Sequence, residues 1–86
     1  MFDKKEIELI RNQLPPRYRE LISKKTELSI PTIARFFGSV PIRQHNAETI
    51  YDAALEIIQE HQEKMEERKL KIRKLMTKEQ QQSLNI

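Results

Sequence analysis

Arg19–Gly38, RELISKKTELSIPTIARFFG, is the stretch on which the reading of this chain turns. A helix-forming run is interrupted near Thr26–Ser29, and an apolar-periodic run then follows and stops at Gly38. Three positions suit two short helices joined by a tight turn. Ser23 is small where the helices cross, Leu28 sits in the turn, and Ile33 falls where the second helix faces a core. Ser29 offers an oxygen to cap that second helix, and Pro31 fits its first turn, where a missing N–H costs nothing. The turn carries one anomaly. Glu27 stands where the residue ending the first helix often needs positive φ and is commonly Gly; either the turn here differs slightly, or a strain on the order of 1 kcal/mol is tolerated.

Working outward, Asp3 is an N-cap candidate for a helix of roughly ten residues that carries Ile7, Ile10 and Leu14 on one stripe. Leu14-Pro15-Pro16 ends it, because a residue before Pro is pushed out of the α region. Pro16 then suits the first turn of a second helix, with Tyr18, Leu21 and Ile22 as its buried set and Lys25 on another face. The third helix is expected over 30–37, burying Ile33, Phe36 and Phe37. Gly38 and Ser39 break it, and residues 40–45 form a loop. Asn46 is an N-cap for a fourth helix, whose Ile50, Tyr51, Ala53, Ala54, Ile57 and Ile58 make a broad apolar stripe. That organisation predicts an all-α, four-helix domain over 1–58, with 59–86 as a charged helical extension of the last helix.

Composition agrees with this class. In 86 residues there is one Gly, no Cys, and an abundance of Glu, Lys, Gln, Leu and Ile. A core this small favours short helices wrapped on one another over layered sheets. The lack of cysteine removes disulfides and thiolate zinc sites. No apolar run approaches the roughly 18 residues of a membrane span, and residues 1–9 alternate charge with hydrophobe, unlike a signal peptide. A soluble, cytoplasmic protein without membrane partners is the expectation. No Ser/His/Asp set, glycine-rich phosphate loop or carboxylate pair points to an enzyme or a cofactor, and His45 and His61 lack metal-ligand spacing.

The net charge of +3 identifies no partner by itself. Residues 1–58 hold nine Lys/Arg against eight Asp/Glu, and residues 59–86 hold seven against five. The placement of the cations therefore decides more than their number.

The segment 28–35, LSIPTIAR, resembles the recognition-helix region of the lac repressor family, and 46–54, NAETIYDAA, resembles the helix that follows it there. The wider similarity, over about residues 5–58, is to the lambda-repressor-like helix-turn-helix DNA-binding superfamily. The resemblance implies a small bacterial or phage regulator that sets its third helix in the major groove of double-stranded DNA and acts as a dimer. Two features depart from the lac pattern. No sugar-binding domain follows, so no small-molecule effector is expected, and Ile30 and Pro31 stand where base-reading polar side chains are usual. Apolar groups there can touch thymine methyls but donate no hydrogen bond.

Arg35, one turn beyond Thr32 and opposite Ile33 and Phe36, is the first candidate for gripping guanine, against the plain alternative of a solvated arginine. Ser29 and Thr32 could meet phosphate or a base, or simply cap the helix. Arg17 and Arg19, at the start of the second helix, are candidates for the DNA backbone, with Lys24 and Lys25 weaker ones. Arg43, Gln44 and His45 follow the recognition helix as candidates for backbone or groove-edge contacts. Two rival functions stay open: a protein-interaction module using the long helix, and a non-specific architectural DNA binder.

In the extension, Glu56, Glu60, Glu63, Glu66 and Glu67 precede Arg68, Lys69, Lys71, Arg73, Lys74 and Lys78, an order that suits the helix dipole. Glu60/Lys64 and Glu67/Lys71 have the favourable i,i+4 spacing. Ile58, Met65 and Ile72 recur every seven residues with Leu75 beside them, a weak heptad that suggests an antiparallel homodimer. A third use lays the basic stretch 68–78 on DNA phosphates or another acidic surface. A fray is expected over 80–86. Cutting the chain after Glu60 should leave a folded domain that binds DNA more weakly. Sedimentation and DNA titration of both lengths check this, and equal monomeric mass with equal affinity would remove the dimer.

Overall fold

The computed structural model describes the backbone of residues 2–85 and the side chains of residues 2–76. Among the described residues there are four helices and no strand: α1 (Lys4–Gln13), α2 (Tyr18–Thr26), α3 (Ile30–Phe37) and α4 (Gln44–Asn85).

Helix α1 begins after Asp3, which is extended but makes no side-chain cap; the Ile7 N–H bonds the Asp3 carbonyl at 3.0 Å. Glu6 in the first turn and Arg11 in the last complement the dipole. Ile7 and Ile10 are buried and Leu14, extended before Pro15, packs partly on the core. The start of α2 differs from expectation. Pro16 lies in a turn before the helix, and the helix begins at Tyr18, after Arg17 in the left-handed region at φ 65°. Each proline disfavours the α region for the residue before it; Leu14 is extended, Pro16 and Arg17 form a turn, and the helical run begins only after Arg17. Leu21 also departs from expectation, being 39% exposed. Ile22 takes the core line of α2, and Leu21, about 100° away round the helix, falls off it.

The α2–α3 turn closes through two hydroxyls. Thr26 Oγ1 donates to the Ile22 carbonyl at 2.7 Å and accepts the Leu28 N–H at 3.2 Å. Ser23 Oγ donates to the Leu28 carbonyl at 2.8 Å. Glu27 adopts the positive φ that its position suggested, 64°, with its N–H on the Ser23 carbonyl at 2.8 Å. Helix α3 then starts at the extended Ser29, whose Oγ accepts the Thr32 N–H at 3.4 Å. It ends in a Schellman arrangement: the Val40 N–H reaches the Arg35 carbonyl at 2.9 Å and the Ser39 N–H the Phe36 carbonyl at 3.1 Å. Ser39, not Gly38, takes the left-handed position there, at φ 60°. A Cβ on Gly38 would stand 3.3 Å from the Ala34 carbonyl oxygen.

Helix α4 starts at Gln44, two residues before the expected cap at Asn46. The Arg43 carbonyl already accepts the Ala47 N–H at 3.0 Å, so the first helical bond is made upstream of Asn46. Gln44 and His45 consequently belong to the first turn of a helix and not to the loop. At about 1.5 Å per residue, the 42 residues of α4 reach some 63 Å, close to the 65 Å long axis of the whole molecule. The helical backbone runs on through Asn85 where a fray was expected from Gln80, and Ile86 lies outside the described residues.

Twelve apolar side chains form the core, from Ile7 to Ile58, with Ile22, Ile33 and Ile50 fully enclosed. Phe2 extends it, stacking on Tyr51 at 4.5 Å between centroids and meeting the edge of Phe36 at 5.7 Å. Tyr18 meets Phe37 edge-on at 5.0 Å. Ile58, expected in an intermolecular seam, is 8% exposed and taken by its own chain's core. From 59 to 76 only His61 is half-buried and every other residue is exposed. Lys25 Nζ ties α2 to α4, reaching Glu60 at 3.2 Å and Glu56 at 3.4 Å. Glu60 is therefore engaged across helices, and among the described residues neither Glu60/Lys64 nor Glu67/Lys71 closes to ion-pair distance.

Two outcomes follow from these contacts. Glu27→Gly removes a left-handed penalty at an exposed site and should stabilise the fold by up to about 1 kcal/mol, read from urea unfolding. The second concerns alkali. The hydrogen bond to Glu60 holds the Lys25 ammonium above its ordinary 10.5, against a smaller opposing effect of burial. Removal from water, with Glu6 beside it, raises the Tyr51 phenol above 10.0. In both groups the folded state holds the proton more tightly, so their contribution is full below the unfolded value and lost as pH rises through the folded one. The thermal midpoint should fall above pH 10.5, and Lys25→Met should show a smaller fall.

Candidate nucleic-acid interface

The outer face of α3 is fixed by what its inner face buries. Ile33, Phe36 and Phe37 turn inward, which leaves Pro31 and Arg35, four residues apart, along the solvent side. Arg35 is exposed and has no side-chain partner among the described residues. Ile30 is 44% exposed beside this line, while Thr32 and Ala34 are half-buried at its margins. No carboxylate stands on α3. Ser29 Oγ and Thr32 Oγ1 bond each other at 2.8 Å, so these hydroxyls are partly spent in holding the helix start.

The start of α2 comes up beside the start of α3. Arg17, Tyr18, Arg19, Glu20 and Ile30 line one shallow cleft. The Arg19 guanidinium lies over the Tyr18 ring, 5.7 Å from its centroid, and the ring is itself anchored on Phe37. Arg17 is exposed at the left-handed corner just before the helix. Three of the predicted residues, Arg17, Arg19 and Ile30, are therefore brought together. Of the weaker candidates, Lys25 is engaged with Glu56 and Glu60, and Lys24 is exposed.

The 43–45 group stands apart from that cleft. Arg43, Gln44 and His45 are all exposed around the start of α4. Gln44 Nε2 donates to Glu48 Oε1 at 3.1 Å, and the His45 carbonyl accepts from Thr49 Oγ1 at 2.9 Å. Gln44 lines a second cleft, of about 180 Å³, whose walls include Phe2, Ile7, Phe36, Val40 and Ile42, with Lys4 also on the lining. Phe2 and Lys4 were not singled out from the sequence, because terminal residues carry no periodic signal of their own. The turn hydroxyl of Thr26 has a legible signal, since Ser and Thr before a break commonly bond the backbone two residues on; the reach of Ser23 to Leu28, five residues on, has none.

His45 and His61 lie on one helix, sixteen residues and roughly 24 Å apart. Among the described residues no cluster of three or more His, Cys, Asp or Glu side chains is placed to hold a metal ion, and no helix is long and apolar enough to cross a membrane. Compared with family models, with curated proteins and with solved structures, the chain finds no match.

Proposed function

We propose that this chain is a small sequence-specific DNA-binding regulator of the helix-turn-helix type, with α3 as the helix that enters the major groove. The observation that carries the reading is the acid-free outer line of α3, Pro31 to Arg35, with exposed Arg17 and Arg19 beside its start. A short helix of about 12 Å presents its first turns to base edges, while cations at the neighbouring helix start meet phosphates on the flanking backbone. Arg35 reads guanine through its forked donors, and Ile30 and Pro31 offer apolar contact to thymine methyls. Arg17 and Arg19 position the module without reading sequence. The resemblance of 28–35 and 46–54 to the lac repressor family supports the same assignment.

Site selection from a random duplex library at physiological salt tests the reading, with an enriched motif as the expected result. On the selected duplex, Arg35→Ala should cost about 1–3 kcal/mol and relax preference at one base pair, whereas Arg17→Ala should weaken all duplexes alike and lower the salt slope by about 1. No enrichment, with Arg35→Ala silent, would overturn it.

A further inference from the structure

We infer that the projecting part of α4, residues 61–76, docks an acidic amphipathic helix of another protein rather than a second copy of this chain. At ~100° per residue, Ile58, Met65, Ile72 and Met76 lie within about 40° of one another round α4. Ile58 is in the core, 8% exposed; Met65, Ile72 and Met76 continue its line into solvent at 39, 55 and 56%. The face that seals the domain thus carries on past it, uncovered. Leu75, 62% exposed, borders the same line.

The charges beside this stripe choose its occupant. With Met65 and Ile72 at heptad position a, Arg68 and Leu75 take position d, and Lys64, Lys69 and Lys71 take the flanking e and g positions. Arg68 lies against the stripe, its Nη1 3.8 Å from the Met65 sulfur. The glutamates sit elsewhere: from the midline of positions a and d, Glu63, Glu66 and Glu67 lie roughly 120–160° round the helix, against about 60–80° for the three lysines. In an antiparallel or a parallel pair of copies, flanking lysines would face lysines and Arg68 would enter the seam from both sides. Like charges so placed oppose pairing. The acidic-against-basic homodimer expected from the order of residues therefore fails on their positions round the helix. A partner helix with apolar a and d residues and Glu or Asp at its flanks satisfies both the stripe and the cations.

Other acidic surfaces fit less well. A nucleic-acid backbone would meet the cations and leave the apolar side chains wet. A bilayer interface calls for a broader apolar face with aromatic anchors, and 61–76 has no Trp, Tyr or Phe. The inference does not depend on the DNA-binding reading of α3, and either can fail alone.

The experiment uses the full chain and two synthetic helical peptides of about three heptads, both with Leu at a and d, one flanked by Glu and one by Lys. Binding is followed by calorimetry at about 0.15 M salt. The Glu-flanked peptide should bind one to one and the Lys-flanked peptide should not. Ile72→Glu, on an exposed turn beyond the core, should weaken binding on the order of tenfold or more while leaving the thermal midpoint in place. Equal binding of both peptides, or of neither, overturns the inference. So does a chain that sediments alone as a dimer broken by Ile72→Glu, which would restore the second copy. Ile72-dependent binding to phosphatidylserine vesicles or duplex DNA, with the Glu-flanked peptide unbound, would assign the face to a membrane or to nucleic acid instead.

Discussion

Three isoleucines with no solvent exposure, Ile22, Ile33 and Ile50, seat α2, α3 and α4 in one apolar core. Burying each side chain contributes roughly 1.5–3 kcal/mol, a large share of the margin available to a domain with a twelve-residue core. The constraint also has a directional consequence. Once Ile33 is seated, the period of the helix leaves Arg35 on the far side, so the outward line of α3 is determined by its inward one. Among the described residues no polar side chain is buried. Orientation is imposed by shape and by the polar groups at the helix ends.

Those ends matter most at α3. Eight residues are too few for a helix to stand alone in water, and α3 needs its neighbours to exist. Ser23 and Thr26 lock the carbonyl and the N–H of Leu28, Ser29 caps the first turn, and the Schellman bonds from Ser39 and Val40 close the last. Fixing both ends converts a marginal segment into a rigid one. Rigidity of that kind is what a helix requires if it is to present Arg35 and Pro31 in a constant register.

Much of this was legible in the chain. Helix periodicity marks Ile7, Ile10, Ile22, Ile33, Phe36 and the α4 stripe, and all of these are buried except Tyr51, which is half-buried against the core. The rules of helix termination mark Glu27 as a position that often needs positive φ and leave open a different turn or a tolerated strain; the second is what occurs, at φ 64°. The misses share a cause. Pro16 and Asn46 are good helix-start residues, yet α2 begins only after the double-proline corner and α4 makes its first bond from the Arg43 carbonyl; single-residue cap preference reports neither. Leu21 is apolar but off the core line. At the candidate site, the helix period showed which residues of α3 face outward. The meeting of Arg17 and Arg19 with Ile30 depends on how α2 crosses α3, and spacing along the chain is silent on that.

Because α4 is one uninterrupted helix, the domain and its projection form a single lever. The short arm is clamped by the core and by Lys25 on Glu56 and Glu60; on the long arm, among the described side chains, none beyond His61 is even half-buried. Along the roughly 36 Å from Gln62 to Asn85, a tilt of about 10° moves the tip by some 6 Å. A hold on the far end would therefore set the attitude of α2 and α3 without touching them, and a turn of the domain would be felt, enlarged, by whatever grips the rod.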